Sequence, residues 1–77
     1  MDINLADVTL HIDQTLRSDE LERVEEAFRQ HDGIVSVHIN PEKRHLMLVE
    51  YNPDKIHSRD LIDILHSQGL QGELIGL

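Results

Sequence analysis

The spacing of apolar residues changes along this chain, and that change constrains the fold more than any other feature. Val8-Thr9-Leu10-His11-Ile12 alternates apolar with polar, the period of a half-buried strand. Leu21, Val24, Ala27 and Phe28 then recur at intervals of three and four, the period of a helix with one buried face. Ser18 is the predicted N-cap, with Asp19, Glu20 and Glu22 in the turn where carboxylates suit the helix dipole. The helix is predicted over 18–31, with Asp19–Arg23 and Glu25–Arg29 as i,i+4 pairs and Gly33 as its C′ residue.

The second half repeats the scheme. Val35, Val37 and Ile39 alternate with Ser36, His38 and Asn40. Pro41-Glu42-Lys43-Arg44 reads as a turn. Met47, Val49 and Tyr51 then alternate with Leu46, Leu48 and Glu50, so the two strands form an antiparallel hairpin. Asn52-Pro53-Asp54 breaks the pattern. Ser58 is the predicted cap of a second helix with Leu61, Ile62 and Leu65 inward, ended by Gly69. A short last strand runs from Leu70 to Ile75, weakened by Gly72. The order βαββαβ predicts an α+β, ferredoxin-like sandwich. Its antiparallel sheet has the order 4-1-3-2, with both helices on one face. One domain is expected over 1–77.

Composition narrows function. The chain has no cysteine, which excludes disulfides and thiolate metal sites. Seven Lys and Arg against 15 Asp and Glu give a net charge of −8. That argues against nucleic acid and anionic membranes as partners. The N-terminus is acidic and unlike a signal peptide, and no apolar stretch is long enough to span a bilayer. A cytoplasmic protein is expected. No phosphate-binding loop or nucleophile elbow surrounds any serine, so no enzyme activity is expected.

Several segments together resemble a known family. Val24-Glu25-Glu26-Ala27-Phe28 followed by His31-Asp32-Gly33-Ile34-Val35-Ser36-Val37-His38-Ile39 resembles the V-E-x-A-L…G-V-x-S-V-x-V core of the heavy-metal-associated domain, the fold of copper chaperones. Glu50-Tyr51-Asn52-Pro53-Asp54-Lys55-Ile56 resembles its V-x-Y-D-P-x-x-V segment. Leu61 to Leu70 resembles its L-x-x-A-I-x-x-x-G-Y ending. In the family, M-x-C-x-x-C between the first strand and first helix holds a soft ion. Counting back from Val24, the resemblance puts the Met position on Thr15 and the cysteine positions on Arg17 and Glu20. The late position that often tunes the site falls on Leu70. Arginine is not a ligand, and glutamate is a hard donor unsuited to copper(I).

Other groups are weighed against structural roles. Asp13, Asp19 and Glu20 could form a hard-cation site, but Arg17 lies among them and two of the three suit a helix start anyway. His11 and His38 should point to the open sheet face, about 9–10 Å apart at the backbone, too far for one unstrained zinc site. They remain the metal-ligand candidates. No resident cofactor is expected beyond a possible divalent transition metal. The open face should also carry Leu46, Leu48 and Glu50. With His11 and His38 these form the candidate interface for a protein partner or a second copy. A register off by one would bury Leu46 and Leu48 instead. The acidic first helix is the other candidate docking face. The expected function is a non-enzymatic interaction or accessory module related to metal handling. The alternative is a metal-ion-binding protein using histidine and carboxylate ligands for zinc, nickel or copper(II), within one chain or across a dimer interface.

Overall fold

A computed structural model describes residues 4–76. The chain forms β1 (Ala6–Ile12), α1 (Ser18–Arg29), β2 (Ile34–Ile39), β3 (Leu46–Tyr51), α2 (Ser58–Ser67) and β4 (Gly72–Gly76). The sheet order is β2-β3-β1-β4, which is 4-1-3-2 read from the other edge, and every neighbouring pair is antiparallel. The βαββαβ ferredoxin-like topology expected from the periods is the one that forms.

The register follows the alternation. Val8, Leu10 and Ile12 of β1 and Met47, Val49 and Tyr51 of β3 are buried, and Val8 pairs with Val49 and Leu10 with Met47. Against them pack Val24 and Phe28 of α1 and Leu61, Ile64 and Leu65 of α2. Each such side chain contributes roughly 1.5–3 kcal/mol through burial. The shared core leaves the other sheet face without a covering layer.

Several details differ from the sequence expectation. Arg17, not Ser18, is the N-cap of α1, and His57, not Ser58, that of α2. Neither supplies a capping side chain. A carboxylate three residues on accepts the cap's own amide instead: Arg17 N–H donates to Glu20 at 3.0 Å, and His57 N–H to Asp60 at 2.9 Å. Ser18 is left free to accept a hydrogen bond from Arg44 Nη2, 2.6 Å, which ties the β2–β3 turn to the helix start.

The first helix also stops at Arg29, so Gly33 is not its C′ residue. Gly33 has φ +97° in the turn entering β2, where its carbonyl accepts the Asn52 amide at 2.7 Å. Gly69 does close α2. With φ +76°, its amide reaches the His66 carbonyl while the Leu70 amide reaches that of Leu65. This paired bonding is a Schellman motif with Leu70 as its buried apolar anchor.

Val35 is exposed rather than inward, because β2 bulges: Ile34 pairs with Tyr51 and Ser36 with Glu50, leaving Val35 as the extra residue. Ile62 is only half-buried, and Ile64 takes the inward place beside Leu61 and Leu65. The last strand begins at Gly72, after Leu70 has been used to end the helix. A close approach requires the glycine at position 72. A β-carbon there would run into the His11 carbonyl oxygen and lie 2.6 Å from Leu65 Cδ2.

Candidate functional site

The β1–α1 loop is where the family resemblance puts a metal. Its chemistry does not suit a soft ion. The Arg17 guanidinium lies 3.2 Å from Asp19 Oδ1 and 3.5 Å from Glu20 Oε1. It holds the Asp19 carboxyl below the usual carboxylate range, with Arg23, 3.1 Å away, adding to the effect. A fixed cation therefore occupies the position where a positive ion would sit, so the residues present do not fit copper(I). Thr15 Oγ1 lies 3.5 Å from His45 Nε2, and Leu70 is buried at the end of α2. Gln14 further closes the loop. Its Oε1 accepts the Gln71 amide at 3.0 Å, and the adjacent Asp13 amide donates to the Gln71 carbonyl at 2.9 Å.

The open sheet face carries the remaining candidates. His11 and His38 both occupy outward positions but not one row. His11 pairs with Leu46, whereas His38 pairs with Leu48. Two strand spacings across and two residues along put their backbones about 12 Å apart. At that separation a single ion shared within a chain would be strained.

His38 joins Thr9, Asn40, Leu46 and Leu48 around a shallow hollow of about 230 Å³. Leu48 is 43% exposed and, with half-buried Leu46, gives this hollow an apolar wall. Glu50, half-buried, accepts a hydrogen bond from Ser36 Oγ at 2.6 Å and stands directly opposite Asp7. Like charges in facing positions repel. No lysine or arginine occurs in any of the four strands to offset them.

His11 has different neighbours. Its Nδ1 lies 3.3 Å from Asp13 Oδ1 and 3.5 Å from Glu73 Oε1. Its ring stacks on His45, centroids 5.6 Å apart and 14° from parallel. His45 is anchored in turn: its Nδ1–H donates to the Ile12 carbonyl at 2.6 Å, and its own carbonyl accepts the Ile12 amide at 2.8 Å.

The cation site suggested by Asp13, Asp19 and Glu20 is thus divided. Asp19 and Glu20 turn to Arg17, and Asp13 turns to His11. Sequence reasoning missed Glu73, His45 and Asp7. Glu73 follows from strand alternation once β4 is laid beside β1. That register is hidden because the pairing shifts at a bulge between Thr9 and Leu10.

A wider groove of about 460 Å³ lies between the end of α1 and α2, lined by His31, Lys55, Asp60 and Asp63 among others. Lys55 already reaches Asp32 across it, 3.4 Å. Among the described residues, no helix is long and apolar enough to cross a membrane.

No family model matches this chain, and no curated protein matches it. Solved structures do. The N-terminal domain of a potential copper-translocating P-type ATPase from Bacillus subtilis, in its Cu(I)-loaded state, superimposes with a TM-score of 0.84 at 21% identity. The match covers 94% of this chain and 89% of that one. Oxidized MerP from Ralstonia metallidurans CH34 gives 0.81 at 20% identity, over 91% and 96%. The apo HMA domain of a copper chaperone for superoxide dismutase gives 0.77 at 19% identity, over 95% and 69%. At these identities the likeness is one of fold.

Proposed function

We propose that this chain, which has the fold of heavy-metal-associated domains and none of their cysteines, is a non-enzymatic cytoplasmic interaction module. It docks a protein partner on its open sheet face, and the partner presents lysine or arginine beside an apolar side chain. The relation to metal handling rests on the solved chains of this fold, two of which are named for copper.

The observation that carries the reading is the composition of that face. Exposed Leu48 and half-buried Leu46 border a hollow, next to the opposed carboxylates Asp7 and Glu50, with no lysine or arginine in the four strands. An apolar contact supplies affinity, and a carboxylate pair already under repulsion gains from an incoming cation. A second copy of the chain fits less well, since it would bring the same carboxylates against these. The acidic exterior of α1 fits less well too, because Arg23 and Arg29 pair with Asp19 and Glu25 there. The alternative of one metal ion held by His11 and His38 finds no support in their separation.

The test uses the isotope-labelled chain and a synthetic peptide alternating lysine with leucine. Amide shifts should move at Thr9, His38, Leu46, Leu48 and Glu50, and Leu48→Asp should abolish them. Shifts confined to α1, no shifts at millimolar peptide, or a concentration-dependent dimer through this face would each overturn the reading.

A further inference from the structure

We infer that His11, Asp13 and Glu73 form a binding site for a divalent first-row cation of the zinc class, separate from the β1–α1 loop position and from the docking hollow. The ligand atoms of the three side chains all lie within 4.8 Å of one another. The donor set is one imidazole nitrogen and two carboxylate oxygens. That mixture suits zinc and its neighbours and is wrong for copper(I).

Three observations carry the inference beyond a chance grouping of acidic residues. The first is spacing. Ligands about 2.0–2.1 Å from a tetrahedral ion lie about 3.3–3.4 Å from each other. The two separations from His11 Nδ1 are 3.3 and 3.5 Å, close to that spacing.

The second is electrostatic. One imidazole nitrogen, carrying at most one proton, faces both carboxylates, and among the described residues neither has a lysine or arginine as ion-pair partner. At the loop position, by contrast, Arg17 neutralises Asp19 and Glu20. A dication on two carboxylates and a neutral imidazole closes to zero net charge.

The third is rigidity. His11 and Glu73 are direct cross-strand partners. The Asp13 amide is bonded to the Gln71 carbonyl, which fixes the loop residue against the start of β4. The His11 ring is braced by His45, itself hydrogen-bonded to the backbone of Ile12. A site whose supporting groups are already placed loses less entropy on binding. All three ligands are partly exposed, so the remaining coordination positions open to solvent.

The inference does not depend on the docking reading. Calorimetric titration of the whole chain with zinc at neutral pH tests it, with circular dichroism confirming that each variant folds. One equivalent should bind. Glu73→Gln and Asp13→Asn should each weaken binding at least tenfold, His11→Gln should abolish it, and the His11 imidazole nitrogen resonances should shift on addition of zinc. His38→Ala should have no effect, and Leu48→Asp, which destroys the docking face, should leave zinc binding intact. Absence of binding below millimolar zinc overturns the inference. So does binding that survives Glu73→Gln undiminished or is lost with His38→Ala.

Discussion

The imidazoles of His11 and His45 stack 5.6 Å apart and 14° from parallel, joining the end of β1 to the residue that leads into β3. The contact is more than two rings in proximity. His45 also donates from Nδ1 to the Ile12 carbonyl at 2.6 Å, and Ile12 is wholly buried. The open face of the sheet is thereby tied to its core at one point.

Replacing His45 with alanine should cost about 1–3 kcal/mol, because a carbonyl loses its side-chain donor and His11 loses its brace. Urea unfolding should show a lower midpoint with an unchanged slope. An unaltered midpoint would mean that water replaces the donor without loss.

Gly72→Ala should destabilise more than Gly69→Ala. At Gly72 the new methyl meets the His11 carbonyl and Leu65, and overpacking of this kind costs about 1–3 kcal/mol or more. At Gly69 no atom lies within 4 Å of the new methyl, and only the left-handed backbone, φ +76°, is penalised, by about 1–2 kcal/mol. Thermal unfolding of the two variants side by side gives the order.

Asp7→Lys should raise stability by about 0.2–1 kcal/mol, since it converts a repelling pair with Glu50 into an attracting one. The gain should shrink as salt is added. The same substitution should weaken binding of the lysine–leucine peptide. Stability and binding moving in opposite directions would mark a face kept acidic for a partner.

Asp19 should titrate below the ordinary carboxylate range, chiefly because of the hydrogen bond from Arg17. A depressed folded-state pKa contributes stability above the unfolded value. That contribution is lost as pH falls through the folded one. Both groups are exposed, so the effect on unfolding should be small. Carboxyl resonances followed by pH give the direct reading. Arg17→Ala should move Asp19 back up, and a titration indifferent to Arg17 would reject the assignment.

Much of this was legible in the residues. Buried Met47, Val49 and Tyr51 against outward Leu46, Leu48 and Glu50 fixes the register of β3, which Tyr51 and the family pattern indicate where Leu46 to Val49 are apolar throughout. The helix faces of Leu21, Val24 and Phe28 were equally plain. The misplaced caps have a local cause of another kind. Ser18 and Ser58 are good capping residues, but Glu20 and Asp60 satisfy the helix starts from one residue earlier. Val35 was misread because alternation carries no sign of a bulge. The bulge exists only in the pairing of β2 with β3.

By itself, the sequence determined the element order, the aliphatic core and the lack of any thiolate ligand. These depend on residue type and on spacing within a dozen positions. The grouping of His11 with Asp13, Glu73 and His45, the opposition of Asp7 to Glu50, and the offset of His38 from His11 were decided only by the tertiary structure. Each depends on which residue of one strand faces which residue of another. A shift of two residues leaves the buried face unchanged, so the pattern of burial cannot choose among such registers. Bulges, turns and close approaches such as Gly72 against His11 make that choice.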